Sequence, residues 1–262
     1  MKFSIITVVY NREKEIRDTI ISVSDQTVAS EIEHIIVDGE STDGTLSAIE
    51  STKSRAEKRV ISEADHGIYD ALNKGFALAS GDYLGILHSD DVFKDTSVVS
   101  EVIDFFKKTG ADIVYANVDL IDQTGAYRGC VRPYARDKRK FFPDQVAHMG
   151  IFMKADVARQ LDPPFDVTYK IAADLKHQLL LFDNPRNVTA HFDRIVVTFR
   201  VGGYSTNSLS AYLLGLWESR RAWNEARGWG GLLFVLSKIL VRSRRGGKFE
   251  KRTTNELRPG EN

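Results

Sequence analysis

Hydrophobic positions in the first 120 residues alternate between two periods. KFSIITVVY (2–10) is a β-branched run, and REKEIRDTIISVSDQ (12–26) follows it with Ile16, Ile20, Ile21 and Val23 at helical spacing. The same succession recurs downstream. EHIIVDG (33–39) reads as a strand, STDGTLSAIEST (41–52) as a helix capped by Thr42 or Asp43, and KRVIS (58–62) as a strand. GIYDALNKGFALAS (67–80) reads as a helix leading into strand DYLGILH (82–88), and TSVVSEVIDFFKKTG (96–110) as a helix leading into strand DIVYANV (112–118). Strands alternating with helices predict an α/β fold with a mostly parallel central sheet, right-handed crossovers and helices on both faces.

After about residue 120 the alternation stops. VDLIDQTGAYRGCV reads as two strands joined through Gln123-Thr124-Gly125. A basic loop (RPYARDKRK, 132–140) leads to VAHMGIFMKADVARQL, then to helix KIAADLKHQLLLF (170–182) and strand DRIVVTFRVGG (193–203). From about residue 207 the chain reads as helical with a polar tail. These changes divide it into 1–118, a smaller second half of the same domain at 119–205, and a C-terminal helical part at 206–262.

A chain of 262 residues with 42% hydrophobic content can bury a substantial core. Its 36 basic and 36 acidic residues balance, so no global field recruits nucleic acid, and a charged ligand must be gripped locally. The lone Cys130 fits a reducing compartment and a packing role. The N-terminal apolar run is too short for a signal peptide, and WGGLLFVLSKILV (229–241) is too short to span a bilayer, so the expected location is cytoplasmic.

Open parallel sheets bind ligands beyond the carboxyl ends of their strands. Those ends carry Tyr10-Asn11-Arg12, Asp38-Gly39, Glu63-Ala64-Asp65 and His88-Ser89-Asp90-Asp91. Successive strand residues face opposite sides, so Asp90 and Asp91 are expected to have different partners. A Mg2+ or Mn2+ ion on a nucleotide diphosphate needs only one or two protein carboxylates, leaving the neighbouring aspartate for the ribose.

The run VVYNRE, then IIVDGESTDGT, then SEADHGIYDALNKGFALASGDYLGILHSDD resembles the nucleotide-sugar-binding half of family 2 inverting glycosyltransferases. HMGIFMKAD, IAADLKHQLLL and FRVGGYST resemble the acceptor half of bacterial surface-polysaccharide members, which extends the resemblance over about the first 205 residues. It implies a GT-A, Rossmann-like fold and metal-dependent hexosyl transfer from a nucleoside-diphosphate sugar to a glycan or lipid-linked acceptor. It also implies that Thr7, Val9, Tyr10 and Arg12 line the nucleotide pocket, that Asp38 bonds the base or ribose, and that Asp91 holds the metal while Asp90 contacts the ribose. Glu63, Asp65, Asp70, Asn73 and Lys74 would cross the diphosphate and sugar, with Lys74 offsetting phosphate charge. His88 departs from the residue usual at its position.

By the same resemblance Asp174 is the catalytic base, without the glutamate that precedes it in better-known members, and His148 bonds a sugar or the diphosphate or completes the metal shell. Inverting transfer needs such a base on the face opposite the leaving group. Two other readings fit the sequence less well. A nucleotidyltransferase wants a glycine-rich phosphate loop that VVYNREKE lacks, and a non-catalytic sugar- or lipid-binding scaffold predicts donor binding without turnover. Residues 238–252 carry seven basic residues against one acidic, behind Trp229, Leu232, Leu233, Phe234 and Leu236. That pattern reads either as a helix lying on an anionic membrane at the inner face of the plasma membrane or as a packed helix with a solvated basic end.

Overall fold

The computed structural model describes residues 1–133, 146–201 and 209–245. Most of the basic loop at 132–140, the GGYST segment and the tail beyond 245 lie outside the described residues.

The first half follows the predicted alternation: β1 (Phe3–Val9), α1 (Ile16–Ser24), β2 (Ile32–Asp38), α2 (Thr45–Ser51), β3 (Glu57–Ser62), α3 (Ile68–Leu78) and β4 (Tyr83–Ile86). β1, β2 and β4 are buried along their whole length, as strands covered on both faces must be. β2 nevertheless contains Glu33 and His34, and each makes a buried hydrogen bond. Glu33 accepts hydrogen bonds from Ser4 Oγ (2.7 Å) and the Ser80 N–H (3.0 Å), while His34 Nε2 meets Thr7 Oγ1 at 2.9 Å. Burial holds the His34 ring neutral by pushing its pKa down to about 3, with Lys58 adding to the effect.

β3, β2, β1 and β4 are parallel neighbours in that order. The chain winds outward from β1 through β2 to β3, then crosses back through α3 to place β4 on the other side of β1. This reversal opens a crevice beyond the ends of β1 and β4. The register puts Val9 beside Asp38 and Asp38 beside Ser62, so the polar strand ends lie in a row. α3 approaches β1 closely, because a Cβ built on Gly75 would lie 2.4 Å from Ile6 Cγ2. Gly75→Ala is therefore expected to destabilise the fold by about 1–3 kcal/mol, read as a lower midpoint in urea unfolding.

The second half departs from simple continuation. β5 (Val92–Phe93) and α4 (Val98–Thr109) lead to β6 (Ile113–Ile121), which does not pair with β4. Between them lies β8 (Ile151–Lys154), antiparallel to both. β6 runs through residue 118, so the two halves share one sheet. β7 (Tyr127–Val131) returns along β6 in the predicted hairpin, whose turn places Gly125 at φ 84°. After the short α5 (Ala155–Ala158), α6 (Ala173–Phe182) begins one turn later than predicted. β9 (Thr189–Arg200) pairs parallel with β6 and antiparallel with β5.

α7 (Leu209–Arg227) and α8 (Gly231–Arg245) form a hairpin broken at Gly228 and Gly230, both at positive φ. Trp223 of α7 is a packing residue, stacked on Phe234 of α8 with ring centroids 4.2 Å apart. Glu218 of α7, 2% exposed, accepts the backbone N–H groups of Lys170, Ile171 and Ala172 at 2.8, 2.8 and 2.9 Å. Its carboxylate thereby fixes the segment that launches α6.

Candidate functional site

At the mouth of the crevice, β1 and β2 end in two residues with left-handed backbone, Asn11 at φ 51° and Glu40 at φ 60°. For non-glycine residues this conformation is strained, and surrounding contacts must hold it. Asn11 Oδ1 accepts the Thr42 N–H (2.9 Å), Ser41 Oγ accepts the Asn11 N–H (2.9 Å), and Thr45 Oγ1 accepts the Arg12 N–H (2.8 Å). These bonds lock the two loops together while leaving the Tyr10 and Arg12 side chains exposed.

His88 to Asp91 form a turn closed by the Asp91 N–H and the His88 carbonyl (3.1 Å), and Thr19 of α1 donates to the Asp91 carbonyl (2.8 Å). The turn sends the two aspartates into different surroundings. Asp90 is half-buried, and burial raises its carboxyl pKa while Arg12 and Arg200 oppose the rise. Asp91 is fully buried; its Oδ1 accepts the Arg200 N–H at 3.3 Å. Asp91 Oδ2 has no hydrogen-bond partner among the described residues. Burial, and then the Asp90 charge, push the Asp91 carboxyl well above the usual carboxylate range.

A buried oxygen with no partner beside a second carboxylate is what a hard divalent cation would satisfy. The residues present fit such an ion at Asp91. Among the described residues no three His, Cys, Asp or Glu side chains converge on one point, so the protein itself would supply only one or two oxygens. Arg200, at the end of β9, was not singled out from sequence. Its only signal is a basic residue closing a long β-branched run, and pairing of β9 with β5 brings it to the aspartates.

His88 reaches the other half of the fold. Its Nε2 lies 2.6 Å from His148 Nε2, and His148 Nδ1 lies 3.5 Å from Asp174 Oδ2. Burial, and then the His148 charge, push the His88 pKa down to about 3, so His88 is neutral. Asp174 opens α6 with its side chain 15% exposed. Burial alone would raise its pKa, but the His148 contact and the Leu175 N–H outweigh burial and leave it lowered. Tyr69 Oη approaches Asp174 Oδ1 at 3.5 Å, and burial raises the Tyr69 pKa, keeping the phenol protonated. Tyr69 too was missed, because an aromatic at helical spacing in α3 reads as core.

Several residues expected to touch a ligand also make contacts within the fold. The Thr7 hydroxyl is bonded to His34, and the Val9 side chain packs in the cluster of Ile16, Ile20 and Ile36. Asp38 is fully buried, accepting from Ser41 Oγ (2.5 Å) and Ser62 Oγ (2.7 Å). Both ends of the Asn73 carboxamide bond the Phe165 backbone, at 2.8 and 2.9 Å. Lys74 is already paired with Glu63 (2.9 Å) and Asp70 (3.7 Å), so its charge is offset before any phosphate arrives. Asp65 accepts the Gly67 N–H (2.8 Å) and lies over Gly39, where a Cβ would fall 2.3 Å from its Oδ2.

The family model described as Glycosyl transferase family 2 matches residues 4–157, more than half of the chain. A PGL/p-HBAD biosynthesis glycosyltransferase of Mycobacterium bovis is 28% identical over 210 residues, covering 79% of this chain and 80% of that protein. Among solved structures, S. aureus TarS 1-349 in complex with UDP-GlcNAc superposes with a TM-score of 0.69 at 19% identity, covering 94% of this chain and 73% of that one. The mannosyltransferase PcManGT from Pyrobaculum calidifontis, in complex with GDP-Man and Mn2+, gives 0.66 at 14% identity, covering 93% and 75%. The two structural likenesses show a shared fold.

Proposed function

The chain belongs to glycosyl transferase family 2 and is a glycosyltransferase, and on that premise we propose that it is a metal-dependent inverting hexosyltransferase using a nucleoside-diphosphate sugar. One observation carries this reading. The contacts Asp91–His88, His88–His148 and His148–Asp174 join the aspartate turn and a second, partly open carboxylate into one site. Donor-binding and base functions would thus face each other across the crevice.

In this mechanism Asp90 bonds the ribose, and Arg12 and Arg200, which flank it, meet the diphosphate. Asp91 would hold Mn2+ or Mg2+, which when bound supplies electrostatic stabilisation to the departing diphosphate. The acceptor hydroxyl attacks the anomeric carbon from the face opposite the leaving group. As that bond forms, the bond from carbon to the diphosphate oxygen breaks and its electron pair leaves with the nucleoside diphosphate. Asp174, ionised because its pKa is lowered, accepts the hydroxyl proton, and His148 orients it. The donors in the TarS and PcManGT structures support a nucleotide-sugar substrate. The mycobacterial relative's role in PGL/p-HBAD biosynthesis supports a lipid-linked or glycan acceptor in bacterial envelope synthesis.

The reading is tested by incubating the protein with Mn2+ and a panel of α-linked UDP- and GDP-sugars, following slow donor hydrolysis by proton NMR. The expected first product is the β-anomer of the free sugar, formed only with metal. A retained α-anomer would exclude inversion, and hydrolysis unaffected by chelator would exclude the metal.

A further inference from the structure

α8 is apolar on two opposite sides. Its inner side buries Phe234 and Val235. Its outer side exposes Leu232, Leu233, Leu236, Ile239 and Leu240, each between 39% and 58%, and Trp229 just ahead of the helix is 70% exposed. These outer positions recur at intervals of three and four, so they form one stripe along the helix. A helix packed on a domain usually turns a polar face to water, and a contiguous exposed apolar stripe marks an interaction surface.

Charge identifies the occupant. From 242 to 252 the chain carries Arg242, Arg244, Arg245, Lys248, Lys251 and Arg252 against Glu250 alone. Anionic headgroups complement that run while acyl chains complement the stripe. Residues 246–262 contain only Phe249 and Leu257 as large apolar side chains, too few to cover the stripe. A second copy docked there would add another basic run with no acidic partner in the stripe.

We propose that the outer face of α8 is a docking surface for an anionic phospholipid bilayer, with the helix lying in the membrane plane. Among the described residues no helix is long and apolar enough to cross a membrane, which is consistent with surface contact. The same helix backs the site. Lys238 on its inner side bonds Ser219 Oγ (3.2 Å) and lies near enough to Asp174 for the carboxylate charge to oppose the effect of burial on the lysine. The lipid contact therefore lies on the opposite side of α8 from Lys238 and the base. The docking surface stands on the helix alone; only its value for reaching a lipid-linked acceptor rests on the transferase reading.

The test is sedimentation of the full chain with phosphatidylcholine vesicles containing increasing phosphatidylglycerol, with tryptophan emission recorded in parallel. Binding is expected to rise with phosphatidylglycerol and to shift the emission to the blue. Leu233→Gln with Leu236→Gln is expected to weaken vesicle partition about ten-fold or more, without lowering Tm or metal-dependent UDP or GDP affinity, because both side chains are exposed. Absence of binding to anionic vesicles overturns the proposal, as does binding that the double substitution leaves unchanged. A dimer in sedimentation equilibrium that the substitution dissociates gives the face to a second copy and overturns it too. Donor hydrolysis assayed without vesicles reports on the transferase reading separately.

Discussion

Asp174→Asn is expected to bind nucleoside diphosphate with near-native affinity and to transfer sugar about 10²–10⁴ times more slowly. The amide keeps the shape of the carboxylate at the start of α6 but cannot accept the proton. Comparing kcat with the calorimetric Kd for UDP or GDP checks this. Turnover within ten-fold of native would remove Asp174 as the base. The pH dependence has a defined sign. The folded pKa of Asp174 is lowered, so its share of stability is present above the ordinary carboxylate value and is lost as pH falls through the lower folded value. The acidic limb attributable to this group should therefore fall below the usual carboxylate range, and the base should be fully ionised at neutral pH.

For Asp91→Asn the expected outcome has two opposite parts. Burial and the neighbouring Asp90 raise the folded Asp91 pKa, so without a cation the folded state binds more protons than the unfolded chain. Stability then falls as pH rises from the ordinary value through the folded one, and at neutral pH the carboxylate is a net cost. The amide removes that charge while its oxygen still accepts from the Arg200 N–H. Metal-free variant is expected to melt about 2–4 °C higher than native protein near pH 7.5, equivalent to about 1 kcal/mol. The same variant should lose the Mn2+-dependent rise in Tm that UDP or GDP produces in native protein. Thermal shift in chelator, in Mn2+, and in Mn2+ with nucleotide measures both parts. A nucleotide shift in the variant that still requires Mn2+ would place the cation elsewhere.

The strands and helices of the first 118 residues were legible because each has a local pattern, a short β-branched apolar run for a strand covered on both faces and a period near 3.6 for a helix. The parallel register followed from strands alternating with helices, and it brought the polar strand ends into a row. β8 was not legible. IFMK is too short to carry a period, and its insertion between β4 and β6 depends on both partners being free to accept an antiparallel strand. The start of α6 was placed three residues early because Glu218, distant in sequence, holds residues 170–172 as a loop.

The candidate site divides the same way. Residue type and position at strand ends were enough to single out Asp90, Asp91 and Arg12, and the resemblance marked Asp174. Residue type does not tell which side chains a neighbour has already engaged, and only the fold shows Thr7, Asp38 and Asn73 bonded to His34, Ser62 and Phe165.

By itself the sequence determined the alternating architecture and the pair of carboxylates delivered to the carboxyl edge of the parallel strands, since both follow from local patterns. Only the tertiary structure decided that Asp91 turns inward with one oxygen unpartnered among the described residues while Asp90 stays half-buried. It alone joined His88 to His148 and Asp174, residues separated by 60 and 26 positions. Such contacts leave no periodic trace in a sequence; they are set by packing between elements and by the cost of leaving a buried polar group without a partner.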